Sequence, residues 1–190
     1  MGRTNKRDTL LDTAELLFEK NGFVATGINQ ITQEAGVAPM TLYNNFANKE
    51  ELVVATLKRR SERLLSQIEE KIGSCQENPK QCILSIFDIM DTWIREEQGK
   101  QTGFAGCTFV KAAIEFGDRS HPSRKTAIDY KRRVIDIFES KAEAMGEGNP
   151  RELALKLHLL MEGAITQAQL LDDPESLKRA KDIAEVWLNH

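Results

Sequence analysis

In the first third of the chain apolar residues recur at the three- and four-residue spacing of a helix. Leu10, Leu11, Ala14, Leu17 and Phe18 share one face of a predicted helix over about 5–20, and Asn21-Gly22 stops it. Thr26 is read as the N-cap of a short second helix carrying Ile28, Ile31 and Ala35, which Gly36 terminates. Pro39 suits the first turn of a third helix to about Phe46, with Leu42, Tyr43 and Phe46 on or near its inner side. Asn48 and Glu51, at capping-box spacing, open a long fourth helix through Leu52, Val53, Leu57, Leu64, Leu65 and Ile68 to about Ile72.

Residues 73–80 carry Ser, Asn and Pro and read as a connector, after which Ile83, Ile86, Phe87, Met90, Trp93 and Ile94 mark a fifth helix. A polar break over 96–103 precedes 104–116, apolar on several sides, which predicts a sixth helix buried more completely than its neighbours. His121-Pro122 begins a seventh, with Ile128, Val134, Ile135, Ile137 and Phe138 facing inward. Two more follow over about 150–171 and 174–188. No segment alternates as a half-buried strand and no repeat is visible, so the expected fold is all-α with about nine helices. Its organisation is a three-helix module over residues 1–48 on a larger helical body over 49–190.

Composition changes this picture little. With 41% hydrophobic and 29% charged residues the chain is an ordinary globular sequence. Residues 1–7 are polar and basic, and no apolar run approaches the roughly 20 residues of a membrane span, so a cytoplasmic protein without membrane contact is expected. The net charge of −3 gives no general pull toward nucleic acid, and the cations of the first module are matched by acids, so any such argument must rest on motif. Cys75, Cys82 and Cys107 match no zinc or redox spacing and are read as reduced thiols, with no cofactor or metal expected.

The informative stretch is ITQEAGVAPMTLYNNFANK, from Ile31 to Lys49. Two short helices flank Ala35-Gly36-Val37, the tight turn a helix-turn-helix needs, with Gly36 free to take a positive φ. Here the chain resembles the tetracycline-repressor (TetR) family of transcriptional regulators, on Ala35-Gly36-Val37, Thr41-Leu42-Tyr43, Phe46 and Lys49-Glu50. The resemblance is strong over the first fifty or so residues and covers the rest in its plan of six further helices. It implies a cytoplasmic homodimeric repressor that binds a palindromic double-stranded DNA operator through this helix-turn-helix and leaves it on binding a small ligand.

By that resemblance Tyr43 and Lys49, with Thr26 and Gly27 at the start of the second helix, contact phosphates. Pro39, Met40, Thr41 and Asn44 face the major groove, where Asn44 can pair with adenine and Pro39 and Met40 make apolar contacts. Tyr43 has a second reading as a half-buried packing residue, and Arg3, Lys6 and Arg7 are either an arm near phosphates or a solvated terminus. The run Lys58, Arg59, Arg60 and Arg63 reads as a solvated face. In the body the family plan surrounds a ligand cavity with the middle helices, and the candidate lining is Phe87, Met90, Trp93, Phe104, Cys107, Phe109, Val110, Tyr130, Met161 and Gln167. That set suits a small apolar or amphipathic organic molecule, and each member alone is also an ordinary core residue. Leu153, Leu157, Leu160, Ala164, Ala168 and Leu171, continued by Ile183, Val186 and Trp187, form the expected dimer stripe of a four-helix bundle.

Two competing readings remain. One is an all-helical enzyme using Glu115, His121 or Cys107, which no paired-carboxylate, nucleophile–base or nucleotide-loop motif supports, so the chain is not expected to be an enzyme. The other is a DNA-binding activator that answers to a protein partner.

Overall fold

The computed structural model describes residues 5–75, 77–99 and 103–189. Among the described residues the elements are α1 (Lys6–Asn21), α2 (Ile28–Glu34), α3 (Pro39–Tyr43), α4 (Lys49–Gly73), α5 (Pro79–Gln98), α6 (Thr108–Glu115), α7 (Pro122–Ala144), α8 (Pro150–Leu170) and α9 (Ser176–Trp187), with no strand. None of these helices is long and apolar enough to cross a membrane. The chain divides into two compact units, residues 1–61 with 108–129 and residues 62–107 with 130–190, so α4 and α7 each contribute to both.

In the first unit α1 packs on α2 and α3, and these pack on each other. Leu10, Leu11, Phe18, Phe23, Ile31, Leu42 and Phe46 are removed from solvent there. Gly36 adopts φ +63°, and the turn is closed by the Gly36 N–H on the Gln33 carbonyl (3.1 Å) and the Val37 N–H on the Thr32 carbonyl (3.0 Å). Pro39 occupies the first turn of α3 as expected, but α3 ends at Tyr43 rather than Phe46. Beyond it the Asn45 and Phe46 N–H groups both fold back onto the Leu42 carbonyl (2.9 Å each), a turn that buries Phe46 without continuing the helix. Asn48 accepts the Glu51 N–H at 2.8 Å, while the Glu51 carboxylate reaches past Asn48 to the Ala47 N–H at 2.6 Å.

The basic run on α4 corrects the expectation of a solvated face. Lys58 and Arg63 are exposed, but Arg60 is only 2% exposed, bonded to Glu15 at 2.9 Å and to Glu19. Arg59 pairs with Asp12 at 2.8 Å and Glu15 at 3.0 Å. Glu15 and Glu19, four residues apart on α1, point one way and require a cation opposite them. The sixth helix also departs from expectation. Gly103 (φ +64°) and Gly106 (φ +87°) keep 103–107 out of the helix, which starts at Thr108, and Ile114 (74%) and Val110 (42%) are exposed, so α6 is not the most buried helix. A side chain at position 106 would also run into the Gln169 carboxamide, whose Nε2 donates to the Ala105 carbonyl at 3.1 Å.

In the second unit α5 packs on α8 and α9, which pack on each other. Phe87 and Phe138 meet with ring centroids 6.0 Å apart, and Lys181 on α9 bonds both oxygens of Asp88 on α5, at 2.7 and 2.8 Å. The reading of all three cysteines as reduced thiols is corrected: Cys75 and Cys82 form a disulfide with Cα atoms 5.5 Å apart. The Asn78 N–H on the Cys75 carbonyl (2.9 Å) folds the connector back, which brings Cys75 beside the first turn of α5. Cys107 is outside any disulfide.

The ion pairs of α4 predict unequal costs. Arg60→Ala removes the buried cation shared by Glu15 and Glu19, of which Arg59 still reaches Glu15, and is expected to lower the unfolding free energy by about 3–5 kcal/mol. Arg59→Ala, whose partner Asp12 is well exposed and whose other partner Glu15 keeps Arg60, is expected to cost less than about 1 kcal/mol. Urea denaturation followed by circular dichroism measures both, and equal losses would contradict the assignment of Arg60 to the interior.

Candidate functional site

Several side chains expected to face DNA protrude from the first unit. Pro39 and Asn44 are exposed, Met40 is 67% and Tyr43 50% exposed, and Thr41 is partly covered. Leu42 and Phe46, on the opposite side, are buried and hold α3 against the module. The Asn45 side chain is turned back on the Thr41 carbonyl (2.7 Å), so of the two asparagines Asn44 is the one exposed to an incoming surface. Tyr43 is half exposed, which fits both a phosphate contact and a half-buried packing residue.

The connector between α1 and α2 is organised differently from the sequence reading. Thr26 is wholly buried, and its hydroxyl donates toward the Gly22 carbonyl at 2.7 Å, with the Leu17 carbonyl at 3.3 Å. The N-cap of α2 is therefore Gly27, exposed and without a side-chain cap, and Thr26 serves the module as an internal tie. Lys49, partly covered at the start of α4, donates its Nζ to the Val24 carbonyl at 3.1 Å. Burial lowers the Lys49 pKa from its ordinary value, and the charge of Glu115 opposes that fall.

In the sequence Glu115 stands among the residues of the competing enzyme reading. Its carboxylate instead accepts the Val24 N–H at 2.7 Å, and a Cβ at Gly22 (φ +86°) would lie 2.7 Å from one of its oxygens. Only a contact across ninety or so residues reveals this, and no local pattern in the sequence announces it. His121 stacks on Phe116 at 4.3 Å, with its Nε2 3.3 Å from a Glu50 oxygen. At the N-terminus the Arg7 guanidinium sits 5.2 Å from the Phe46 ring centroid and Lys6 is exposed, while Arg3 lies outside the described residues.

The expected ligand lining is distributed over both units. Phe109 and Val110 belong to the first, where Phe109 is buried and Val110 exposed. In the second unit Phe87, Met90, Tyr130 and Met161 are buried core residues. Phe104 meets Trp93 edge-on at 5.2 Å, and Trp93 lines a groove of about 450 Å³ between the end of α4 and α5, with Glu70, Lys71, Asp88, Ile89, Thr92 and Glu96. Cys107 faces the Lys131 Nζ at 3.3 Å, and Lys131 bonds Glu162 at 2.6 Å. Burial works against the Lys131 ammonium, but Cys107, Glu162 and Tyr130 outweigh it and raise its pKa. Burial also lowers the His158 pKa; Glu162 opposes the change and the Lys131 ammonium adds to it.

A second groove, of about 440 Å³, lies between α8 and α9 and is lined by Leu159, Leu160, Gly163, Ala164, Gln167, Ile183 and Trp187 among others. Leu157 and Ala168 from the expected dimer stripe are buried within the chain itself, and Leu153 and Leu160 are partly covered. The large apolar side chains left exposed here are Leu155, Leu159 (73%), Leu170, Leu171, Ile183, Val186 and Trp187. Leu157 and Ala168 thus face the subunit's own core, because small residues mark the side of α8 packed on α5 and α9 as readily as a side awaiting a partner, while Leu171, Ile183 and Trp187 of the stripe stay exposed.

The family model described as bacterial regulatory proteins, tetR family, matches residues 10–56, and that of the tetracyclin repressor-like C-terminal domain matches residues 83–184. The chain is 29% identical over 182 residues to the HTH-type transcriptional repressor NemR of Escherichia coli, covering 92% of this chain and 89% of that one. It is 24% identical over 170 residues to the HTH-type transcriptional regulator LmrA of Bacillus subtilis, covering 87% of each. Among solved structures, a TetR-family transcriptional regulator from Streptomyces coelicolor superposes with a TM-score of 0.88 at 28% identity, covering 97% of this chain and 94% of that one. Two family models that together span both the helix-turn-helix and the helical body, and a solved relative that follows nearly the whole chain, establish that this protein belongs to the TetR family of DNA-binding transcriptional regulators.

Proposed function

We propose that the protein is a homodimeric repressor that reads a palindromic operator with α3 and leaves it when a small amphipathic organic molecule binds the helical body. The observation that carries the DNA-facing half is the one-sided construction of α3. Leu42 and Phe46 are sealed in the core, while Pro39, Met40, Tyr43 and Asn44 stand out from a module too small to need them for its own packing. Asn44 makes the bidentate contact available to an adenine edge, and Pro39, Met40 and the Thr41 methyl offer apolar contact to a thymine methyl. Tyr43, Lys49 and the exposed backbone at Gly27 contact phosphates and set the register. Thr26 supports that contact from within. The E. coli relative carries the name of a repressor, which favours repression over activation.

Asn44→Ala is expected to lose about 1–3 kcal/mol at one base position, whereas Lys49→Ala weakens binding to all sequences and reduces the salt slope by about one. Fluorescence anisotropy against the tightest duplex recovered from a random-sequence pool, and against single-base variants of it, reads both. Unchanged affinity and unchanged salt slope in both variants would remove α3 from the groove.

The dimer face assigned here is the α8/α9 groove with Leu159, Ile183 and Trp187 at its surface. Because Leu159 is 73% exposed in the single chain, Leu159→Glu leaves the subunit folded but sets a carboxylate against the partner's apolar surface. Sedimentation is expected to show monomers with an unaltered circular dichroism spectrum. An unchanged dimer would place the interface elsewhere.

For the ligand, the groove beside Trp93 combines an aromatic face with Glu70, Asp88, Glu96 and Lys71, within the size range of small-molecule sites. A molecule that releases DNA must bind the released form more tightly, and linkage then requires the operator to weaken the molecule by the same factor. Calorimetry of a releasing compound from a small-molecule screen is expected to show a weaker affinity when saturating operator is present and a further loss in Trp93→Ala. Equal affinities with and without DNA would exclude release by that compound, and an unchanged affinity in Trp93→Ala would move the site away from this groove.

A further inference from the structure

Between α1 and α2 the backbone of Val24 is held from both sides. Its N–H donates to the Glu115 carboxylate of α6 at 2.7 Å, and its carbonyl accepts the Lys49 Nζ of α4 at 3.1 Å. The Val24 side chain is 64% exposed, so the connector gains little from burial at this point and is fixed by these two bonds. The neighbouring contacts come from the same helix. Lys111, one turn before Glu115, donates its Nζ to the Glu19 carbonyl in the last turn of α1 at 2.8 Å, and Phe116 packs on Phe23 at 5.7 Å. Arg124 in turn caps α6 through the Ala113 carbonyl at 2.6 Å. Gly22, at φ +86° and against the Glu115 oxygens, is what allows the carboxylate so near the chain.

Nothing in this arrangement resembles an acid–base site. Glu115 is spent on one backbone N–H, and its charge faces an ammonium that is itself bonded to the same residue. Without Glu115 the Val24 N–H returns to water, the Lys49 ammonium loses the charge that offsets its desolvation, and the Val24 backbone loses one of its two partners.

We propose that Glu115 is a positioning residue for DNA binding, which holds the α1–α2 connector by the Val24 N–H and thereby sets Lys49 against the operator phosphates. The sixth helix thus belongs to the DNA-reading device, in keeping with its membership of the first unit. The inference rests on the phosphate role proposed for Lys49. Glutamine at position 115 retains an oxygen able to accept the Val24 N–H and loses only the charge; alanine loses both.

The test compares Glu115→Ala, Glu115→Gln and Lys49→Ala in the full-length protein. Operator affinity is measured on the pool-selected duplex and Val24 amide exchange by NMR. Glu115→Ala is expected to weaken the duplex by about five- to tenfold and to speed Val24 exchange, while Glu115→Gln stays within about twofold of the parent in both. Thermal unfolding of all three is followed alongside, and rescue by glutamine separates positioning from a general loss of fold. If Lys49→Ala binds DNA as the parent does, the phosphate contact itself is misplaced. If Lys49→Ala binds weakly but Glu115→Ala binds normally, or if alanine and glutamine fail equally, Glu115 does not position it through Val24.

Discussion

A helix of five residues has no stability of its own in water, and one of seven has little, because nucleation costs more than so few hydrogen bonds return. The DNA-reading surface proposed for this protein is built on two such helices, α2 and α3. Their existence depends on the apolar seal formed by Leu10, Leu11 and Phe18 of α1 with Ile31, Leu42 and Phe46. The exposed residues of α3 assigned to DNA are attached to buried ones within a turn: Tyr43 follows Leu42, and Asn44 lies two residues before Phe46. The seal orders the recognition surface before DNA arrives, so binding does not bear the entropy of forming it.

The charges of the first unit follow from that priority. With a net charge of −3 the chain has no general attraction for a polyanion, and several cations that a count would assign to DNA are turned inward. Arg59 and Arg60 neutralise Asp12, Glu15 and Glu19, and Lys111 caps the end of α1. What remains for the operator is local: a few donors placed by the backbone and a polar edge on α3. A protein built this way discriminates by fit at α3, since phosphate contacts set register and carry no sequence information.

The helices, their order and the turn at Gly36 were legible in the sequence because each has a local cause: helical spacing, Pro39 at a first turn, Asn48 at a cap. The errors share a different origin. Arg60 read as solvated because its partners lie on another helix, forty or more residues away. Thr26 read as a cap because its hydroxyl chemistry permits that role, yet the fold sends the hydroxyl inward to Gly22. The start of α6 was placed four residues early because an apolar run outweighed Gly103 and Gly106, whose left-handed backbone ends the choice. On α8 the spacing identified an apolar helix but not which of its sides faces its own subunit. In the site, α3 was legible because motif and exposure coincide there, whereas Glu115 was legible as a residue and not as a contact.

The central claim is that α3 of each subunit lies in the major groove, at two places on one side of the duplex. Chemical protection of guanine N7 and adenine N3 by dimethyl sulfate, on the duplex selected from a random pool, separates the grooves directly, since the first atom lies in the major groove and the second in the minor. The account predicts two patches of guanine N7 protection with centres about 10 base pairs apart or a multiple of that spacing, with adenine N3 left reactive between them. A single patch, or protection confined to adenine N3, would contradict it.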